Sequence, residues 1–172
     1  VLTIADGYRT NDMPGGWILP NDGYGCGYEN LPEVVTELHD RGFYTGLWTE
    51  DGLDQIAWEV GTAGTRVCKL DIAWVWEGYE MALEASMQAA SGIEDNSDSR
   101  RFNWTTMGWA GTQRYSVVWT GDNAGSWEYI RFQIPTVIGS GMSAFNYATG
   151  DVDGIFWGSP KTYVRDLQWK MF

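Results

Sequence analysis

The chain has 172 residues, enough to bury a core as one domain. Its net charge of −12 and pI near 4.3 argue against a partner made of nucleic acid or anionic lipid, both of which select for clustered Lys and Arg. No apolar run approaches the roughly 20 residues of a membrane span, and two cysteines outside CxxC spacing with a single histidine, His39, provide neither a disulfide framework nor a metal site.

The predicted elements alternate. GGWILPND (15–22) reads as a short strand. ENLPEVVTELHDRG (29–42) reads as a helix, with Leu31, Val34, Val35 and Leu38 at helical spacing and Gly42 as its stop. A strand over 43–50, a short helix over 54–61 and a strand over 65–74 follow. The next helix covers 78–91 with Leu83 and Met87 four apart, and GIEDNSDSRR reads as a solvated loop. Strands are predicted over 102–111 and 114–122. After them comes a helix over 126–139, capped by Ser126 and carrying Trp127, Ile130 and Ile134 on one stripe. A last strand lies in 140–150, and 159–172 opens a further helix.

Strands alternating with helices imply parallel β/α units. Asp22, Glu50, Asp71, Asp122 and Asp151 fall at the C-terminal ends of strands, the rim that carries active sites in β/α barrels. About six such units are counted where a closed barrel needs about eight. The expected fold is therefore α/β, an incomplete (β/α)8 TIM barrel in which 1–172 form one partial catalytic domain and further domains are missing from the chain.

Eleven Trp and nine Tyr among many acids suit sugars, which stack on rings and bond their hydroxyls to carboxylates, although aromatics also fill large cores. Lys69 and Asp71 project to one side of their strand, and a neighbouring cation favours the charged form of a carboxylate, as a nucleophile needs. Asp122, between Trp119 and Trp127, is expected to be partly desolvated and to hold its proton. Two carboxyls in such different surroundings meet the requirement for glycoside cleavage. The alternatives are a structural Lys69–Asp71 ion pair and a helix-capping Asp122.

KLDIAW, GWAGTQRYSVVWTGDNAGSWEYIRFQIP and GDVDGIF together resemble glycoside hydrolase family 31, retaining α-glycosidases on a β/α barrel. The resemblance runs over essentially the whole chain, from the second barrel strand to the helix after the seventh. It implies Asp71 as nucleophile, Asp122 as acid/base, a carbohydrate substrate and no cofactor or metal. KLDIAW departs from the family's usual W-x-D-M-N-E, and its K-x-D resembles related α-galactosidase families, where the lysine bonds sugar hydroxyls. PNDGYG likewise implies that Asp22 contacts a sugar hydroxyl. Thr106 stands where α-glucosidases of the family carry an arginine, leaving room for a larger C2 substituent. These departures resemble the α-N-acetylgalactosaminidase branch; an α-glucosidase, an α-galactosidase and a non-catalytic sugar-binding relative are the competing readings. Trp48 and Trp74 could stack on the sugar or pack in the core. Trp109 and Arg114 flank the strand leading to Asp122, with Arg114 able to orient a rim carboxylate or to form a structural bridge. Asp151 aligns with a strand-tip acid of the family and Asp153 with a glycine. His39 reads as a surface residue and Cys68 as a packing thiol.

Overall fold

The computed structural model describes residues 1–23, 26–50, 52–71 and 78–171, in two compact units, Val1–Trp104 and Thr105–Phe172. The first unit runs α1 (Leu2–Thr10), β1 (Trp17–Ile18), α2 (Leu31–Asp40), β2 (Tyr44–Leu47), α3 (Ile56–Gly61), β3 (Val67–Leu70) and α4 (Tyr79–Asp95), and ends within β4 (Asn103–Thr105), whose last residue is assigned to the second unit. β1 and β2 pair in parallel with Ile18 opposite Thr45, and β2 and β3 pair in parallel with Leu47 opposite Cys68. Beside β3, the Cys68 N–H donates to the carbonyl of Phe102 at 3.1 Å.

The helical spacing of α2 turns Leu31, Val35 and Leu38 inward. Leu31 and Val35 pack with Leu47 and Ala63, while Leu38 packs with Ala5 and Phe43. Pro at the start of α2 suits a position whose N–H has no helical partner. Gly42 ends the segment with φ +77, a conformation that favours glycine, and the chain turns directly into β2.

α4 corrects two expectations. It continues through residues 92–95 of the predicted loop, because Asn96 and Ser97 donate to the carbonyls of Gly92 and Ile93 and the Arg101 guanidinium and backbone N–H donate to the Glu94 carboxylate. Its buried face is not Leu83 and Met87 but small residues, Ala82, Ser86, Ala89, Ala90 and Gly92, together with Ile93. Small side chains allow α3 to approach closely, with the Ile56 side chain lying over Gly92.

The second unit holds a short 3₁₀ turn (Thr112–Arg114), β5 (Val117–Trp119), α5 (Trp127–Met142), β6 (Ala148–Thr149) and α6 (Pro160–Lys170). β5 and β6 pair in parallel, Trp119 opposite Thr149. Ser126 caps α5 as predicted, its hydroxyl accepting the Tyr129 N–H. The predicted stripe is rotated: Tyr129, Ile130 and Gln133 are buried, while Trp127 and Ile134 are exposed. The reason is polar, since the Tyr129 hydroxyl and the Gln133 amide both meet the Thr120 hydroxyl at the end of β5. Ser159 caps α6 in a reciprocal arrangement with Thr162, with Pro160 at the first helical position. The strands are shorter than predicted throughout, and no helix among the described residues is long and apolar enough to cross a membrane.

The α3–α4 contact makes a prediction. A β-carbon at Gly92 would stand 2.6 Å from Ile56 Cδ1 and within 2.9 Å of two more Ile56 atoms. Gly92→Ala is expected to destabilise by about 1–3 kcal/mol through overpacking, although the same change at an open helical site stabilises by about 1 kcal/mol. Urea denaturation of Gly92→Ala, Ile56→Ala and the double variant reads this, the double variant losing less than the sum of the two single losses.

Candidate active site

In the first unit the parallel register brings the C-terminal ends of β1, β2 and β3 to one edge, so Asp22, Trp48 and Asp71 emerge together. Asp71 Oδ2 lies 3.5 Å from Lys69 Nζ and accepts the Trp48 indole N–H at 3.1 Å. The predicted same-side projection of Lys69 and Asp71 is present. The Lys69 and Asp71 side chains are only 18% and 20% exposed, so their attraction is less screened than at an open surface. Trp48 is buried and meets Asp71 with its polar edge.

Asp22 is also buried, at 3% exposure; its Oδ2 accepts the Glu50 N–H at 2.8 Å, and its own N–H donates to the Trp48 carbonyl. The Tyr28 hydroxyl donates to that same carbonyl at 2.7 Å. The Trp48 carbonyl thus accepts two bonds, and the backbone two residues on is tied to Asp22. Trp74 lies outside the described residues.

A buried polar layer that the sequence does not announce supports this edge. Glu59 on α3 is buried and bonded by the Thr49 hydroxyl at 3.2 Å. Burial pushes its carboxyl above the ordinary 4.5, with the Thr49 bond opposing and the Asp22 charge adding. Burial also raises the Tyr28 phenol and the Cys68 thiol, which leaves Cys68 an inert packing residue, as expected. The available signal for Glu59 was its place on the apolar stripe of α3 with Ile56 and Val60. His39 is exposed, as predicted, and no cluster suited to a metal ion occurs among the described residues.

In the second unit Asp122 follows β5 and Asp151 follows β6, at the same end of a parallel pair. Asp122 is exposed in this chain, in contrast to the desolvation expected between Trp119 and Trp127: Trp119 is buried in the strand, and the Trp127 ring is itself 41% exposed. The Asp151 carbonyl accepts from Lys170 Nζ, which also pairs with the buried Asp166 at 2.8 Å. Burial lowers the Lys170 ammonium from its ordinary value, against the pull of Asp166. Arg114 ends the 3₁₀ turn with its guanidinium 5.6 Å from the Tyr115 ring centre, and Trp109 is 45% exposed. Thr106 is half-buried, with its methyl against Gly121, next to Asp122.

Parallel strands followed by helices, with acids where the strands end, define a β/α-barrel protein. Residues 36–172 match the model of the glycosyl hydrolases family 31 TIM-barrel domain, and the chain belongs to that family, as an incomplete (β/α)8 barrel. It is 33% identical over 115 residues to human neutral alpha-glucosidase AB, covering 61% of this chain and 12% of that protein. It is 37% identical over 109 residues to an alpha-xylosidase of Saccharolobus solfataricus, covering 57% of this chain and 15% of that one. Among solved structures, a cycloalternan-degrading enzyme from Trueperella pyogenes shares the fold, with a TM-score of 0.81 at 14% identity over 96% of this chain and 38% of that one. The chain therefore spans a small part of the curated relatives it matches.

Glu59 yields a pH prediction. A carboxyl whose value is raised on folding contributes stability that is complete below 4.5 and is lost as pH rises through the raised value. Glu59→Gln lacks this contribution. Its stability relative to the unaltered protein is expected to move in the variant's favour as pH rises from 4.5 towards neutrality, as read from urea midpoints. A pH-independent difference would contradict the raised value.

Proposed function

We propose that the complete protein carrying this chain is a retaining, exo-acting α-glycoside hydrolase with Asp71 as nucleophile and Asp122 as acid/base. The observation that supports it best is the treatment of Asp71, a carboxylate at the end of a barrel strand that receives a cation and an indole N–H on one oxygen. Both contacts fix the orientation of the carboxylate at the strand end, as an attacking group requires. In the first displacement an Asp71 oxygen bonds to the anomeric carbon while the glycosidic oxygen departs with a proton from Asp122. In the second, Asp122 takes a proton from water, whose oxygen attacks the same carbon and frees Asp71. The two inversions give net retention. Asp22, Trp48, Lys69, Trp74, Trp109, Arg114 and Asp151 are proposed to hold the sugar or to orient the two acids.

The exposure of Asp122 in this chain fits a group that meets its leaving group at the mouth of a site, with a bound sugar excluding water during the reaction. For the sugar, we propose terminal α-linked N-acetylgalactosamine. Support comes from Lys69 beside the nucleophile and from the short Thr106 against Gly121, whose buried hydroxyl has no partner among the described residues. The second reading is an α-glucosidase, favoured by the names of curated relatives such as neutral alpha-glucosidase AB.

The test is the complete protein against aryl α-glycosides of N-acetylgalactosamine, glucose and galactose, with the released anomer followed by NMR. The α-anomer from the N-acetylgalactosaminide is expected. Turnover of the glucoside alone would reject the sugar assignment, and no turnover of any α-glycoside would reject the hydrolase. Asp122→Ala is expected to lower kcat/KM on substrates with poor leaving groups by about 10²–10⁴-fold.

A further inference from the structure

We propose that Asp153 is a positioning residue for Asp122, clasping the loop after β6 against the backbone of the loop after β5. The inference rests on the reading of Asp122 as acid/base. Both loops belong to the second unit and meet main chain to main chain: the Gly125 N–H donates to the Trp157 carbonyl at 3.1 Å, and the Phe156 N–H donates to the carbonyl of Asn123, the neighbour of Asp122, at 3.2 Å. Ala124 bridges to Gly154 and Gly125 to Gly158.

Asp153 is where these contacts converge. Its Oδ1 accepts the Thr162 hydroxyl at 3.1 Å and its Oδ2 accepts the Gly158 N–H at 3.0 Å, which joins the loop to the start of α6. Its own N–H donates at 2.7 Å to Asp166 Oδ2, and Asp166 is buried and held by Lys170 and the Trp169 indole. On the other side its carboxylate lies directly over Gly125, where a β-carbon would collide with Asp153 Oδ1. The acid is thus braced on a buried ion pair and presses on the backbone three residues from Asp122.

Asp153 does this at φ +62, a conformation that non-glycine residues enter at a cost and that Asp tolerates better than most. Glycine would satisfy that backbone more easily. The side chain thus sits at a backbone position that penalises it, and its bonds tie together the two strand-end loops and the α6 cap.

A leaving-group comparison separates positioning of an acid from plain stability. A glycosyl fluoride departs with little need of a proton, whereas an alkyl glycoside needs one, and kcat/KM reports the bond-breaking half-reaction. In the complete protein, Asp153→Gly is expected to lower kcat/KM for the alkyl α-glycoside tenfold or more and for the α-glycosyl fluoride less than twofold. Asp153→Asn, which keeps one acceptor and the shape, is expected to fall between Asp153→Gly and the unaltered protein. Equal losses on the two substrates, or no loss, would overturn the proposal, and Asp153→Asn carries the same test if the glycine variant does not fold. Asp122→Ala is run beside them. If it shows the leaving-group split and the Asp153 variants do not, only the clasp fails; if Asp122→Ala hydrolyses the alkyl glycoside at full rate, the acid/base reading fails and the clasp with it.

Discussion

Parallel pairing of very short strands is the constraint from which the rest follows. With Ile18 opposite Thr45 and Leu47 opposite Cys68, the chain leaves β1, β2 and β3 at one edge, and Asp22, Trp48 and Asp71 have no choice but to emerge together. A one-residue slip at β3 would send Lys69 and Asp71 to the opposite face and separate both from Trp48. The register is secured by helices rather than by strand length. α2 buries Leu31, Val35 and Leu38 against this layer, and Gly46 brings β2 close to Val67 on β3.

The two units place their carboxylates in opposite settings. Asp71 is enclosed, with one oxygen shared by an ammonium and an indole N–H, while the carbonyl of Trp48 holds the Asp22 N–H and the Tyr28 hydroxyl. Asp122 is exposed, and the loops after β5 and β6 bond to each other through the backbone next to it, while Asp166 and Lys170 form a buried pair in the same unit. The nucleophile and acid/base roles proposed for Asp71 and Asp122 make different demands, and the groups around the two carboxylates differ accordingly.

Much of this was legible from periodicity. The alternation of strand and helix, the Ser126 cap and the shared side of Lys69 and Asp71 all follow from local rules that tertiary contacts reinforce. What was not legible depended on partners distant in sequence. The buried face of α5 was set by hydrogen bonds from Tyr129 and Gln133 to Thr120, and hydrophobicity alone pointed to Trp127 and Ile134 instead. The small-residue face of α4 becomes meaningful only with Ile56 lying on Gly92. Asp153 looked like an interruption of a glycine position, because nothing local announces that Thr162, Gly158 and Asp166 will converge on it.

The most direct test of the central claim is to trap the covalent intermediate. The complete protein is treated with the 5-fluoro glycosyl fluoride of the sugar proposed as its substrate, digested, and mapped by mass spectrometry. One added sugar is expected on the peptide containing Asp71, with loss of activity in step with labelling. Labelling of a different carboxylate, or inactivation with no covalent sugar at all, would contradict it.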